Sequence, residues 1–192
     1  CEIGCKKIGL ISMDPSNYTN LNYGLIKEYA FIETIAEFGL NTNRSMCIRL
    51  SAQDLKCTDE RMWLFKAISE VEEWLGKYHD IDGICCLHDQ VAWPALSALA
   101  KTGRRVPEDV AVIGNGNILE AFGFAKSDLT TVDCCYEDFG AEVFRLINEM
   151  QSDLSLNTNK IIEIKGKIIV RHSTVGNGGG KAIPRHFEKE VD

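Results

Sequence analysis

Two short runs of wholly apolar residues constrain the fold of this chain more than any other feature. Residues 83–87 (GICCL) and residues 110–113 (VAVI) each lie between polar turns and contain no charged side chain. Because side chains alternate between the two faces of a strand, a strand that is apolar throughout must be covered on both faces. A helical pattern from Asp89 to Thr102 separates the two runs. The sequence therefore predicts an α/β protein with a doubly wound, mostly parallel sheet and helices on both faces.

The rest of the chain continues this alternation of strands and helices. The predicted strands are residues 6–12, 46–50, 83–87, 110–113, 129–135, 160–164 and 167–170. The predicted helices are residues 25–38, 58–76, 89–102 and 137–150, in which apolar residues recur at helical spacing. We expect Thr58 with Asp59, and Asp89, to cap two of these helices. Pro94 is expected to kink the third helix or to delay its start.

Composition and cysteine usage exclude several classes of function. The formal charge of −7, from 28 acidic and 21 basic residues, opposes binding to a nucleic-acid backbone, which requires clustered Lys and Arg. No apolar run reaches the roughly 18 to 20 residues that span a bilayer, so we expect a cytoplasmic protein with no membrane partner. Four of the eight cysteines form the adjacent pairs Cys85-Cys86 and Cys134-Cys135, which seldom bridge. Reduced, mostly buried thiols are therefore expected.

The candidate binding residues lie where predicted strands end. In an open α/β sheet, ligands bind beyond the carboxyl ends of the strands, where loop amides and helix N-termini point. These ends carry Asp14, His88 with Asp89, and the run from Gly114 to Asn117. A histidine and a carboxylate can offer a donor and an acceptor to ligand hydroxyls. A helix cap beside a solvated histidine would produce the same pattern, and that interpretation stays open.

Other chemistries have less support in the sequence. Gly114 and Gly116 follow a strand as in a dinucleotide fingerprint, but Leu119 stands where the third glycine belongs. Cys85 or Cys86 with His88 would suggest a thiol nucleophile and its base, but neighbouring residues of a buried strand face opposite ways and are usually inert, and no triad completes the pair. The cysteines and histidines also lack the paired spacing that zinc sites favour. We therefore expect no enzymatic activity, no cofactor and no metal.

Three motifs occur in an order that resembles the lactose/galactose-repressor (LacI/GalR) family of transcription regulators. They are residues 103–114 (GRRVPEDVAVIG), residues 129–132 (LTTV) and residues 169–174 (IVRHST). Residues 4–11 (GCKKIGLI) and 82–84 (DGI) extend the resemblance upstream, so that it covers about residues 4 to 175. Members of that family join a helix-turn-helix to a two-lobed, periplasmic-binding-protein-like domain that closes on a small molecule.

The resemblance implies a domain organisation and a set of partners. Residues 1–175 would form the C-terminal ligand-sensing lobe, and residues 176–192 a flexible tail. Residues 136–152 would be a crossover helix that belongs to the other lobe, which we expect upstream because the chain begins at Cys1 rather than at Met. The effector would be a small, sugar-like molecule and the assembly a homodimer. DNA would be bound only through a helix-turn-helix that is also expected upstream.

The resemblance also assigns ligand-binding residues. The family's cleft Asn-Asp pair falls on His88 and Asp89, and its ligand-gripping arginine falls on Lys27. Its sugar-binding aspartate falls on Gly116, so that a charged acceptor is missing there. The complete set of predicted ligand-binding residues is Asp14, Lys27, His88, Asp89, Gly116 and Asn117.

Two other classes of protein stay open at this point. A substrate-binding lipoprotein of a sugar ABC transporter would carry an acylated Cys1, although a strand beginning at Lys6 leaves almost no tether. A cysteine-dependent hydrolase would use Cys86 or Asp89 as its nucleophile.

Overall fold

A six-stranded sheet organises the residues that the computed structural model describes, which are 3–14, 23–40, 46–51, 60–118, 128–152 and 161–175. The strand order is β2-β1-β3-β4-β5-β6, and β6 alone runs antiparallel to its neighbour. The strands are β1 (Ile8–Met13), β2 (Cys47–Leu50), β3 (Gly83–Cys86), β4 (Ala111–Gly116), β5 (Thr130–Asp133) and β6 (Lys167–Ile169). The helices are α1 (Tyr23–Glu37), α2 (Glu60–Lys77), α3 (Asp89–Lys101), α4 (Tyr136–Ser152) and α5 (His172–Val175).

The strand order makes the sheet doubly wound. The chain moves outward from β1 to β2, then returns past β1 to β3 and continues to β4. Because such crossovers are right-handed, α1 lies on one face and α2 and α3 lie on the other. The contacts agree, since α2 packs against α3 and Ser12 of β1 donates a hydrogen bond to Glu28 of α1. The predicted fold class is confirmed.

The hydrophobic core lies between the sheet and the layer of α2 and α3. Ile84 of β3 pairs with Val112 of β4, Ile11 of β1 lies on the same face of the sheet, and each of the three is at most 1% exposed. They share a buried cluster with Val71 of α2 and Leu99 of α3. Each such side chain contributes about 1.5–3 kcal/mol by its burial. This cluster holds the central strands, and therefore their carboxyl ends, in a fixed arrangement.

The far side of the sheet differs from the prediction at two points. The expected strand at residues 160–164 is wrong: residues 161–166 lie outside the sheet, and Ile161 is 90% exposed. Alternating apolar residues form a strand only beside a partner, and β5 is already paired by the short β6. In contrast, β4 extends beyond its predicted end to Gly116, because Gly114 and Gly116 pair with residues of β5.

The start of α3 also differs from the prediction. His88 rather than Asp89 is the N-cap residue, and its side chain makes no cap hydrogen bond. Asp89 does not cap the helix because its carboxylate accepts hydrogen bonds from Thr131 and Ile118 instead. The helix does not start late, and it continues through Pro94.

Helix α4 lies beside the core rather than in it. It makes no extensive contact with any other described element. Large apolar side chains recur along it at helical spacing and are exposed, by 67% in the case of Phe144. We call this surface the α4 face; it consists of Tyr136, Phe139, Val143, Phe144, Ile147 and Met150.

Several smaller expectations concern the cysteines and the chain termini. Cys5, Cys47, Cys85, Cys86, Cys134 and Cys135 are free thiols, as expected. The expected cap at Thr58 and Asp59 and the expected tail at residues 176–192 lie outside the described residues. Within the described part of the chain, no helix is both long enough and apolar enough to cross a membrane.

Candidate ligand-binding site

The carboxyl ends of four parallel strands, β1, β3, β4 and β5, meet at one edge of the sheet. Five of the six predicted binding residues lie there, and one of these, Lys27, comes from α1. We call this place the ligand edge and define it by Asp14, Lys27, His88, Asn115, Gly116 and Asn117. Asp89, the remaining predicted residue, lies beneath it.

Lys27 extends from the second turn of α1 to the ends of two strands. Its Nζ donates hydrogen bonds to the backbone oxygen of Leu87 at 3.2 Å and to Oδ1 of Asn115 at 2.9 Å. The side chain is half-buried, and this burial lowers the pKa of Lys27, whereas the nearby thiols of Cys134 and Cys85 act in the opposite direction. A cation is therefore positioned directly over the central strands.

Asn115 is a site residue that sequence reasoning missed. It lies within β4, two positions after Ile113, and so faces α1. Its Oδ1 also lies 3.9 Å from the thiol of Cys134. Because an ammonium group can only donate, the amide oxygen must face Lys27, which leaves the amide nitrogen as a donor. The period-two alternation of β4 could have revealed this position.

Asp89 is buried, with 1% of its surface exposed. Its Oδ1 accepts a hydrogen bond from the hydroxyl of Thr131 at 2.6 Å, and its Oδ2 accepts one from the backbone N–H of Ile118 at 2.9 Å. A Cβ atom at Gly114 would lie 2.2 Å from Oδ1, so the absence of a side chain there makes room for the carboxylate. Asp89 thus ties α3 to β5 and to the segment after β4.

Asn117 is held in place from two sides. It adopts a positive φ of 55°, and Gly116 before it has a φ of 130°, a region that favours glycine and asparagine. Its amide nitrogen donates to Asp133 at 3.1 Å, and its amide oxygen accepts from the guanidinium of Arg171 at 2.9 Å. Arg171 also donates to the backbone oxygen of Leu129. Asp133 and Arg171 were not predicted, because their role depends on contacts distant in sequence.

His88 is half-buried beside Lys27. Burial lowers the pKa of His88, the positive charge of Lys27 lowers it further, and Asp89 partly opposes both. The imidazole is therefore neutral at pH 7 and can either donate or accept a hydrogen bond.

Asp14 lies at the other end of the ligand edge, towards β2. Its backbone N–H donates to the oxygen of Leu50 at 3.0 Å. The pKa of Arg49 is raised mainly by its hydrogen bonds to Glu28, and the charge of Asp14 adds to this effect. Lys27 therefore lies beside Asn115 and His88, whereas the charge of Asp14 acts on the guanidinium of Arg49.

The thiols near the site are poor nucleophiles. Burial raises the pKa of Cys85 to about 12 and that of Cys86 well above its usual value. A catalytic cysteine requires the opposite shift, so the burial of Cys85 and Cys86 argues against either of them as the nucleophile of a hydrolase. Among the described residues, no group of three or more potential ligands could hold a metal ion.

The fold and the ligand edge define a class of protein, namely the α/β domains in which ligands typically lie beyond the carboxyl ends of the strands. The chain belongs to the family of periplasmic binding protein-like domains, whose model matches residues 1–174. The HTH-type transcriptional repressor PurR of Pasteurella multocida (strain Pm70) is 33% identical over 177 residues, which are 88% of this chain and 46% of the repressor. The chain spans about half the length of the curated relatives it matches.

Solved structures of regulators have the same fold. A LacI family transcriptional regulator from Silicibacter pomeroyi is similar with a TM-score of 0.69 and 27% identity, covering 90% of this chain and 57% of that one. The complex of the transcriptional regulator CelR with cellobiose gives a TM-score of 0.66 at 22% identity, covering 90% and 48% of the two chains. The predicted resemblance to the LacI/GalR family is confirmed, and the chain corresponds to the effector-binding domain of such a regulator. The names of these relatives are those of transcription regulators.

Proposed function

We propose that the ligand edge binds a small polar effector in a cleft between this lobe and a second lobe, and that binding changes the operator affinity of the whole regulator. One observation carries the proposal: Lys27 of α1, Asn115 of β4 and His88 after β3 lie together at the carboxyl ends of the strands. An effector that touches both lobes binds the closed form more tightly than the open form, and so shifts the population. The cellobiose bound to CelR suggests a sugar-like molecule.

Residues of the ligand edge have two roles in this proposal. Lys27 and His88 contact the effector, together with Asn115. Gly116 and Asn117 shape the segment beside it, and Asp14 lines the β1 end. Asp89 positions that segment from below, since both of its oxygens are already bonded to the protein.

The second lobe accounts for the exposed α4 face. An apolar stripe on an otherwise polar helix is stable in water only when another surface covers it. We propose that α4 is the crossover helix of the regulator and packs in the other lobe, with residues 1–175 otherwise forming the C-terminal lobe. The relatives, about twice as long as this chain, have room for such a lobe.

The other partners follow from charge and symmetry. With a net charge of −7, this domain repels DNA, so operator contact falls to a separate helix-turn-helix. A homodimer would match the two half-sites of a palindromic operator. Reduced thiols suit the cytoplasm, where such a regulator acts.

The proposal is tested by thermal unfolding of the full-length protein, expressed from its own gene, in the presence of sugars, sugar derivatives and nucleobases. A specific effector raises the melting temperature in a saturable way, by mass action. Lys27→Met should abolish this rise. Lys77→Met, at the exposed end of α2, is the matched control and should retain it.

A second measurement addresses regulation. Operator affinity, measured by fluorescence anisotropy, should change about 5- to 150-fold when the effector is added, the usual range for such coupling. A folded protein whose melting temperature and operator affinity respond to no compound would contradict the proposed function.

A further inference from the structure

The side chain of Asn117 joins the ligand edge to two segments that are distant in sequence. Its amide nitrogen donates a hydrogen bond to Oδ2 of Asp133 at 3.1 Å, and its amide oxygen accepts one from the guanidinium of Arg171 at 2.9 Å. We call Asn117, Asp133 and Arg171 the Asn117 cluster. One amide side chain at the ligand edge is therefore held by a carboxylate on one side and by a guanidinium on the other.

Asp133 lies where the chain leaves the sheet. It is the last residue of β5, and its Oδ1 accepts a hydrogen bond from the backbone N–H of Cys135 at 2.8 Å. Cys135 has a positive φ of 52°, and its backbone oxygen accepts a hydrogen bond from the N–H of Phe139 in the first turn of α4. The two oxygens of one carboxylate thus connect the start of α4 to Asn117. A movement of α4 relative to the sheet must act on this carboxylate.

Arg171 lies where the chain has returned to the sheet. It follows β6 and precedes α5, and its guanidinium also donates to the backbone oxygen of Leu129 at 2.8 Å. The returning segment runs directly beside the leaving one, because β6 pairs with β5 and a Cβ atom at Gly166 would lie 3.0 Å from the backbone oxygen of Asp133. Both segments therefore pass the Asn117 cluster and are bonded to it.

The proposed function, on which this step rests, packs α4 in the second lobe, so that the leaving and the returning segment both connect the two lobes. Coupling between two sites requires an element whose arrangement both sites influence. We infer that Asn117 is such a positioning residue: through Asp133 and Arg171 it transmits a change at the ligand edge to the two connecting segments. Effector binding then alters the relative position of the lobes through these two hydrogen bonds.

A reciprocal exchange of side chains tests this role of Asn117. In Asn117→Asp a carboxylate faces that of Asp133, so repulsion replaces the hydrogen bond, while aspartate still tolerates the positive φ. In Asp133→Asn a single acceptor remains for two donors, the N–H of Cys135 and the amide of Asn117. The double variant reverses donor and acceptor, because the amide at residue 133 can donate to the carboxylate at residue 117. That carboxylate can still accept from Arg171, so the cluster is restored.

The first measurement is the operator affinity of the full-length protein, by fluorescence anisotropy, alone and with saturating cellobiose, lactose, ribose or adenine. Where a compound changes the affinity of the wild type, each single variant should reduce that change at least about twofold, the lower end of typical effects on coupling. The double variant should restore it. Saturation removes the effect of weaker binding, and a residue that only stabilises the fold would lower the melting temperature without altering the response.

The matched control is Asp80→Asn, an exposed aspartate before β3, at the opposite end of the sheet from the ligand edge. It makes the same chemical change as Asp133→Asn and should respond as the wild type does. Circular dichroism should show that all four variants are folded.

Hydrogen exchange of the effector-free, full-length protein provides a second measurement. In Asn117→Asp the peptides that contain Cys135 and Arg171 should exchange faster than in the wild type, because the bonds that hold both connecting segments to the ligand edge are weakened. Peptides of α2 should exchange as before. In the double variant the exchange of both connecting segments should return to that of the wild type.

The outcomes distinguish the role of Asn117 from the proposed function. If a compound changes the operator affinity of the single variants as much as that of the wild type, the proposed function stands and the role of Asn117 is wrong. The role is also wrong if the double variant fails to regain the response, or if exchange in the connecting segments does not change. If no sugar, sugar derivative or nucleobase acts on the folded wild type, the proposed function is contradicted, and the role of Asn117 with it.

Discussion

At the scale of single residues, the close contact between Gly114 and Asp89 is the most sensitive point of the ligand edge. The Cβ atom of Gly114→Ala would lie 2.2 Å from Oδ1 of Asp89 and 2.8 Å from the side chain of Leu129. The carboxylate of Asp89 cannot move away without losing its hydrogen bonds from Thr131 and Ile118. We expect a loss of about 2–3 kcal/mol in the free energy of unfolding, measured by urea denaturation.

The matched control is Gly76→Ala in α2, where a Cβ atom would meet nothing within 4 Å. Alanine is the better helix former, so this variant should be as stable as the wild type or more stable by up to about 1 kcal/mol. Equal stabilities for the two alanine variants would show that the Asp89 contact is unimportant.

Asp89 also shows what sequence reasoning could reach at single residues. Its position after β3 was predictable from the apolar run before it. Its hydrogen bonds were not, because they join it to residues 29 and 42 positions further along the chain. Lys27 was identified by family resemblance, and nothing in α1 alone distinguishes it from a surface lysine. Asn115 was missed because β4 was expected to end before it.

At the scale of elements, Arg171 connects the segment after β6 to the segment after β4. Arg171→Met and Asn117→Gly should each destabilise the fold, and glycine at residue 117 keeps the positive φ available. Because the two side chains share a hydrogen bond, the double variant should cost less than the sum of the single ones. We expect a coupling of about 1 kcal/mol from the urea denaturation of all four proteins. Strict additivity would mean that this contact does not hold the two segments together.

A second link between elements joins α1 to β1 and β2 through Glu28. Burial alone would raise the pKa of Glu28, but hydrogen bonds from Arg49 and Ser12 outweigh it and lower the pKa. The ionised carboxylate therefore stabilises the fold above the unfolded pKa of about 4.3, and this contribution is lost as pH falls through the folded pKa. Glu28→Gln should cost about 1 kcal/mol at pH 7 and progressively less below about pH 4.

Urea denaturation of the wild type and of Glu28→Gln, at a series of pH values, measures this difference. Glu33→Gln, an exposed residue of the same helix, is the control and should match the wild type at pH 7. A cost of Glu28→Gln that stays constant down to pH 3 would contradict the assigned role of the ion pair.

The elements themselves were predictable to different degrees. Strands β1 to β6 and helices α1 to α4 follow from apolar runs and helical spacing, which are local properties. The short helix α5 was not predicted, because it depends on partners distant in sequence. It is held by Ser173, whose hydroxyl donates to the oxygen of Val112 and accepts from the N–H of Thr130. Such contacts leave little signal in a four-residue segment.

At the scale of the whole molecule, the α4 face predicts how this chain behaves without a second lobe. Six large apolar side chains on one helix, with Phe139 57% and Phe144 67% exposed, form a surface that water does not stabilise. We expect the 192-residue chain alone to bind a hydrophobic dye and to self-associate as its concentration rises. Dye fluorescence and analytical ultracentrifugation measure the two effects.

Phe144→Glu tests whether the α4 face is responsible. The glutamate interrupts the apolar stripe, so dye fluorescence and self-association should both fall, while circular dichroism stays unchanged because α4 lies outside the core. Phe38→Glu replaces an aromatic residue of similar exposure, 61%, after the end of α1, and should leave both measurements as they are. In the full-length protein, where we propose that the second lobe covers the α4 face, the same Phe144→Glu change should be destabilising. It should lower the melting temperature, because it places a charge in that buried interface. A full-length protein indifferent to Phe144→Glu would show that α4 is not covered by a second lobe.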